Sequence, residues 1–122
     1  MTFVTSDILG RLSNLSRADA DHAPFGIVQV DNDGKIHMYN KYESELAGVA
    51  PSSAEGRNFF TEVAPCTNNK LFFGKFKAGI EAGELDQKFN YTFTYKMKPT
   101  NVAIHLFHDK PSRTNWVFVQ KK

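Results

Sequence analysis

Phe89-Asn90-Tyr91-Thr92-Phe93-Thr94-Tyr95 alternates at every residue. Successive strand residues point to opposite faces, so Phe89, Tyr91, Phe93 and Tyr95 share one side of an extended segment. Lys96-Met97-Lys98-Pro99 then forms a connection, and Thr100 to Phe107 reads as the next strand. In it, Val102, Ile104 and Leu106 oppose Ala103, His105 and Phe107. Asp109-Lys110-Pro111-Ser112 turns, and Trp116-Val117-Phe118-Val119 is the last strand. Three consecutive strands with one strongly aromatic face need a second layer to cover that face.

The earlier chain supplies it. Ile27-Val28-Gln29-Val30-Asp31 and Lys35-Ile36-His37-Met38-Tyr39 read as two strands about the Asn32-Asp33-Gly34 turn. Asn40 is placed to cap a helix that runs through Leu46 and stops near Gly48, with Glu43 at the capping-box position. Pro51 to Gly56 suggests another short helical turn. Leu71, Phe72, Phe76, Ile80 and Ala82 mark one amphipathic helix closed by Gly83, with Gly79 as a cost within it. Before the sheet, residues 1–24 form a helical cap: Ser6-Asp7 starts a short helix with Ile8, Leu9, Leu12 and Leu15 as its apolar face, and Ser16 to Asp21 adds a second turn. Helices this short need a surface to lie on, so the cap is a candidate for docking and release. The expected architecture is α+β: a five-stranded antiparallel sheet with short helices on one face, residues 25–122 forming the core.

Composition narrows the function classes. The chain has 122 residues, 41% hydrophobic and 23% charged, enough for one core. Eleven phenylalanines and four tyrosines suggest an aromatic core or a lined cavity. No apolar run approaches the roughly 20 residues that span a bilayer, and residues 1–22 lack a secretory pattern. A cytoplasmic location and no membrane partner are expected. From Lys96 to Lys122 six Lys or Arg stand against one Asp, but they are spread along strands and turns. That is a solvated face, and no nucleic-acid partner is expected.

The chemistry centres on Asn58-Phe59-Phe60-Thr61-Glu62-Val63-Ala64-Pro65-Cys66-Thr67, which holds the one cysteine. A single cysteine excludes an intrachain disulfide and a cysteine-rich metal site. Cys66 is then a small buried hydrophobe, a reactive thiol, or the attachment point of a covalently held group. A sulfur in an apolar wall is a poor thiolate; an acylated one carries no charge and meets no such objection. Tyr39 ends a strand, and Glu43 lies one turn into the following helix, so both can face one space. Side by side they could hydrogen-bond one anionic oxygen, with burial keeping Glu43 protonated. Equally, Tyr39 can be a strand-end aromatic and Glu43 a capping acid. His22, His37, His105 and His108 form no ligand motif, and the glycines form neither a dinucleotide fingerprint nor a phosphate loop.

Across Ile8 to Lys121 the chain resembles the photoactive yellow protein family, PAS-type blue-light receptors of bacteria. The resemblance rests on Asp33-Gly34, Ile36, Tyr39-Asn40, Glu43, Gly56, Asn58-Phe59-Phe60 and Val63-Ala64-Pro65-Cys66-Thr67. It continues through Phe73-Gly74-Lys75-Phe76-Lys77, Tyr91-Thr92-Phe93, Tyr95, Met97, Pro99-Thr100, His105 and Trp116-Val117-Phe118-Val119. It implies a PAS-like fold and 4-hydroxycinnamic (p-coumaric) acid held as a thioester on Cys66, whose amide would bind the thioester carbonyl. Tyr39 and Glu43 would hydrogen-bond the phenolate, with Phe59, Val63, Ala64, Phe93, Tyr95 and Met97 lining the pocket. Light would isomerise the double bond, Glu43 would give up its proton, and the buried charge would drive partial unfolding of the cap. The resemblance implies a receptor and not an enzyme, a monomer or weak dimer passing its signal to a downstream protein. Two positions depart from the family: Ala47 stands where a threonine usually supports the tyrosine, and Val49 where an arginine usually covers the pocket. The competing expectations are a chromophore-free PAS-type interaction or ligand-sensing domain, and a cysteine enzyme or redox sensor whose free thiol alkylates rapidly.

Overall fold

The computed structural model describes residues 3–94 and 98–122. Five strands form one antiparallel sheet: β1 (Gly26–Val30), β2 (Ile36–Tyr39), β3 (Asp86–Phe93), β4 (Thr100–Asp109) and β5 (Thr114–Lys121). Their order is β2-β1-β5-β4-β3, so the N-terminal hairpin docks on β5 and the two chain halves close into one sheet. The β1–β2 turn is closed by Gly34 N donating to Asp31 O at 3.0 Å, with Gly34 at a φ of 97° that favours glycine.

Both faces of this sheet are covered. On one lie α3 (Lys41–Ala47), α4 (Pro51–Ala54) and α5 (Phe73–Ala82), with a π-turn over Phe59–Val63 and a 3-10 turn over Pro65–Thr67. That face buries Val28, Val30, Tyr39, Phe93, Val102, Ile104, Leu106 and Val117 against Phe59, Phe60, Phe72 and Phe76. On the other lie α1 (Ser6–Leu9), a 3-10 turn at Leu12–Asn14 and α2 (Arg17–Asp21). Here Val4, Leu12 and Ala20 pack on Phe25, Ile27, Met38, Trp116 and Phe118. Residues 3–24 thus lie over this face of the sheet, held by apolar burial that such short helices lack alone.

β2 departs from simple alternation. Val28 pairs with Tyr39, Gln29 with Met38 and Val30 with Ile36, which leaves His37 as an extra residue. This bulge sends Ile36 and Tyr39 to the same face, where strict alternation would separate them. The last helix also begins later than the apolar pattern suggests. Leu71 is 67% exposed and precedes α5. The Asn69 side chain accepts from Leu71 N at 2.9 Å and Phe72 N at 3.1 Å, and this turn holds residues 71 and 72 out of the helix. Gly79 has a packing reason: a Cβ there would lie 2.9 Å from Leu85 Cβ. β3 begins at Asp86, three residues before the aromatic alternation, and β4 and β5 each extend past their apolar runs. Tyr95 and Met97, with the end of the aromatic strand and part of the following connection, lie outside the described residues.

Candidate functional site at the β2–α3 corner

Asn40 builds the corner. Its Oδ1 accepts from Glu43 N at 3.2 Å and Ile27 N at 2.9 Å; its Nδ2 donates to Ala20 O at 2.7 Å and Phe25 O at 3.0 Å. One fully buried amide therefore starts α3, fixes β1 beside it and holds the end of α2. Gly48 ends α3 at a φ of 72°, accepting the left-handed backbone that closes a helix.

Glu43 sits inside that corner and is 1% exposed. It is not a capping-box acid. The Asn40 amide that such an acid would bind donates instead to Ile27 O at 3.1 Å. The Glu43 side chain turns toward the core, and Gly26 makes room for it, because a Cβ on Gly26 would overlap Glu43 Oε1. Burial raises the Glu43 pKa to about 8, so the carboxyl keeps its proton at neutral pH. Tyr39 is fully buried, and burial, reinforced by the nearby Glu43 charge, raises its pKa above the ordinary phenol value. Among the described residues, Tyr39 OH and Glu43 Oε1 find no hydrogen-bond partner. Two buried donors without acceptors are costly, and their chemistry is complementary to an anionic oxygen.

Cys66 approaches the same core from the 3-10 turn. It is half-buried and packs with Val49 and Ala64 against the group containing Tyr39, Phe59, Val63 and Phe93. The backbone before it is preset by Asn58, whose Oδ1 accepts from Phe60 N at 2.9 Å and Thr61 N at 3.2 Å. Behind it, Tyr91 OH donates to Cys66 O, and Asn69 Nδ2 donates to Cys66 O at 3.2 Å and to Tyr91 OH at 2.6 Å. The sulfur thus projects from a turn fixed at both ends, beside an aromatic wall.

The PAS fold model matches residues 16–119. The chain is 40% identical over 119 residues to the photoactive yellow protein of Halochromatium salexigens, covering 98% of this chain and 95% of that one. It is 39% identical to that of Rhodobacter capsulatus over the same shares. The chain belongs to the photoactive yellow protein family.

Within that family the structural likeness is close. The photoactive yellow protein domain of the sensor histidine kinase Ppr from Rhodospirillum centenum superposes with a TM-score of 0.88 at 43% identity, covering 93% of this chain and all, 100%, of that domain. The PAS domain of the RpfR quorum-sensing receptor from Cronobacter turicensis, at 15% identity and a TM-score of 0.66, shares the fold.

Of the residues singled out from the sequence, Tyr39, Phe59, Val63 and Phe93 are buried in one apolar group, and Val49, Ala64 and Cys66 pack against it. Ala47 is half-buried in the last turn of α3. Four contributors escaped the sequence reading: Gly26 beneath Glu43, Tyr91 and Asn69 behind Cys66, and Glu55, whose Oε2 accepts from Tyr39 N at 3.0 Å. Only Asn69 left a local signal, as an amide side chain just before an apolar run. Among the described residues no helix is long and apolar enough to cross a membrane, and no three His, Cys, Asp or Glu side chains gather as metal ligands do.

Proposed function

We infer that this chain is a blue-light photoreceptor that carries a 4-hydroxycinnamoyl group as a thioester on Cys66. Membership of the photoactive yellow protein family supports the receptor reading. The observation that carries the chemistry is the pair of buried, unpartnered groups at Tyr39 and Glu43. A phenol and a protonated carboxyl are both donors, the set that a phenolate oxygen requires. In this reading Phe59, Val63, Ala64 and Phe93 supply apolar walls, Ala47 takes the position that supports the tyrosine and Val49 the position that covers the pocket, and the resemblance adds Tyr95 and Met97 to the lining.

When bound, the group supplies a double bond that light converts from trans to cis. Glu43 holds the transferable proton at its carboxyl, because burial keeps that group neutral in the dark. Releasing the proton leaves Glu43 as a carboxylate that is 1% exposed and, among the described residues, has no cation paired with it. An unpaired buried charge costs several kcal/mol. The corner must therefore open to admit water, and Asn40 connects that corner to Ala20 of the cap. The cap, residues 1–24, is the segment proposed to come away from the core at 25–122 and to signal to a downstream protein. Return of the proton to Glu43 lets the corner close. No substrate is consumed.

Mixing the protein with activated p-coumaric acid tests this. The expected result is one acyl group by intact mass, a visible band that bleaches in blue light and returns in the dark, and neither in Cys66→Ser. A protein that stays colourless and unmodified overturns the reading and leaves a chromophore-free PAS-type domain.

A further inference from the structure

Three bonds tie α2 to the corner that carries Tyr39 and Glu43. Ala20 O accepts from Asn40 Nδ2 at 2.7 Å, Asp21 Oδ1 accepts from Lys41 N at 2.8 Å, and the Arg17 guanidinium pairs with the Glu55 carboxylate. The third is ionic, and its side chains are partly open to water, 49% for Arg17 and 26% for Glu55. The same Glu55 Oε2 that meets Arg17 also accepts from Tyr39 N at 3.0 Å. The reason lies in the sheet edge. β2 is an edge strand, and residues 56 and 57 cover it only at Ile36: Ile36 N donates to Arg57 O and Gly56 N to Ile36 O, both at 2.8 Å. Past that point the backbone cover ends, and the Glu55 side chain supplies the acceptor for the Tyr39 amide.

We propose that Glu55 is a positioning residue that couples the seating of α2, through Arg17, to the placement of Tyr39. The proposal rests on the reading above that Tyr39 faces the chromophore. While α2 is docked, the Arg17 charge holds the Glu55 carboxylate over the Tyr39 amide. When α2 leaves, the carboxylate turns to water and the tyrosine backbone loses its edge bond. The coupling runs both ways, so a shift of Tyr39 weakens the hold on α2.

Amide hydrogen exchange on the unloaded chain, followed by flash photolysis of the loaded chain, tests the latch. Arg17→Gln and Glu55→Gln should each speed exchange at Ala20 and His22 by about two- to fivefold, the range expected of a partly exposed pair. The double variant should go no further than either single. Raising salt from about 0.01 M to about 1 M should reproduce the effect in the unsubstituted chain and add nothing in Arg17→Gln. Glu55→Ala, which also removes the acceptor, should speed exchange at Tyr39 by about tenfold and shift the visible band. Unchanged exchange at Ala20, His22 and Tyr39 in a chain that still loads and bleaches overturns the latch. A chain that never colours speaks against the photoreceptor reading, and the exchange data still decide the latch. If Glu55→Ala does not fold, Arg17→Gln and the salt series decide it alone.

Discussion

Gly26 lies directly beneath the carboxyl of Glu43, and the absence of a side chain on β1 is what lets that acid point into the core. Gly26 pairs with Val119 in a regular antiparallel register, so its backbone alone would accept alanine. Gly26→Ala is therefore a steric probe of the acid. It should cost about 1–3 kcal/mol, the range for forcing a methyl into a packed site, and should displace Glu43. Denaturant unfolding and the wavelength of the visible band check it; a band unmoved beside a clear stability loss would mean that Glu43 does not touch the chromophore.

Glu43 makes stability depend on pH. Its folded pKa of about 8 is raised above that of an unfolded carboxyl. Between those values the folded chain holds a proton that the unfolded chain has released. Stability of the unloaded protein is therefore fully present in acid with respect to this group, falls as pH rises, and levels off above about pH 8. The span is on the order of a few kcal/mol. Glu43→Gln should flatten that limb, measured by urea midpoints at a series of pH values. His105 acts oppositely: burial, outweighing its bond to Asp86, lowers its pKa, so its contribution is lost toward acid.

Asn40→Ala should be among the most damaging polar substitutions. It removes two donors and two acceptor contacts, and strands Ile27 N, Glu43 N and Phe25 O, while Ala20 O keeps only Ala23 N. A loss of about 2–4 kcal/mol is expected from several buried unsatisfied groups. Proteolysis before residue 25 should accelerate more than global unfolding explains. Equal acceleration across the chain would show that Asn40 is not specific to the cap.

Ala47 lies one turn beyond Glu43, half-buried, at the position where the resemblance read from the sequence leads one to expect a threonine. Ala47→Thr should add a hydroxyl that steadies Tyr39 by up to about 1 kcal/mol. Stronger donation to the phenolate favours the anion, so the visible band of the loaded protein should survive to lower pH. Identical titration curves for the two chains would remove Ala47 from the tuning set.

The alternation in Phe89 to Phe93, the Asp33-Gly34 turn and the Asn40 and Gly48 helix limits were legible because each is a local rule: pleat period, turn dihedral, cap hydrogen bond. They suffice for the strand and helix order, and the Tyr39, Glu43 and Cys66 motif marks the family. The bulge at His37 was not legible, since it arises from the pairing of β2 with β1 and decides which face Tyr39 meets. Neither was the fate of Glu43. Its spacing from Asn40 suits a capping box equally well, and only the packing of β1 against α3, with Ile27 taking the Asn40 amide and Gly26 leaving space, turns the carboxyl inward. Local sequence set what each segment can be, because those energies are paid out within a few residues. Tertiary structure decided which groups lose water, and desolvation is what keeps the Glu43 carboxyl protonated, while the open edge of β2 is what sets the Glu55 carboxylate over the Tyr39 amide.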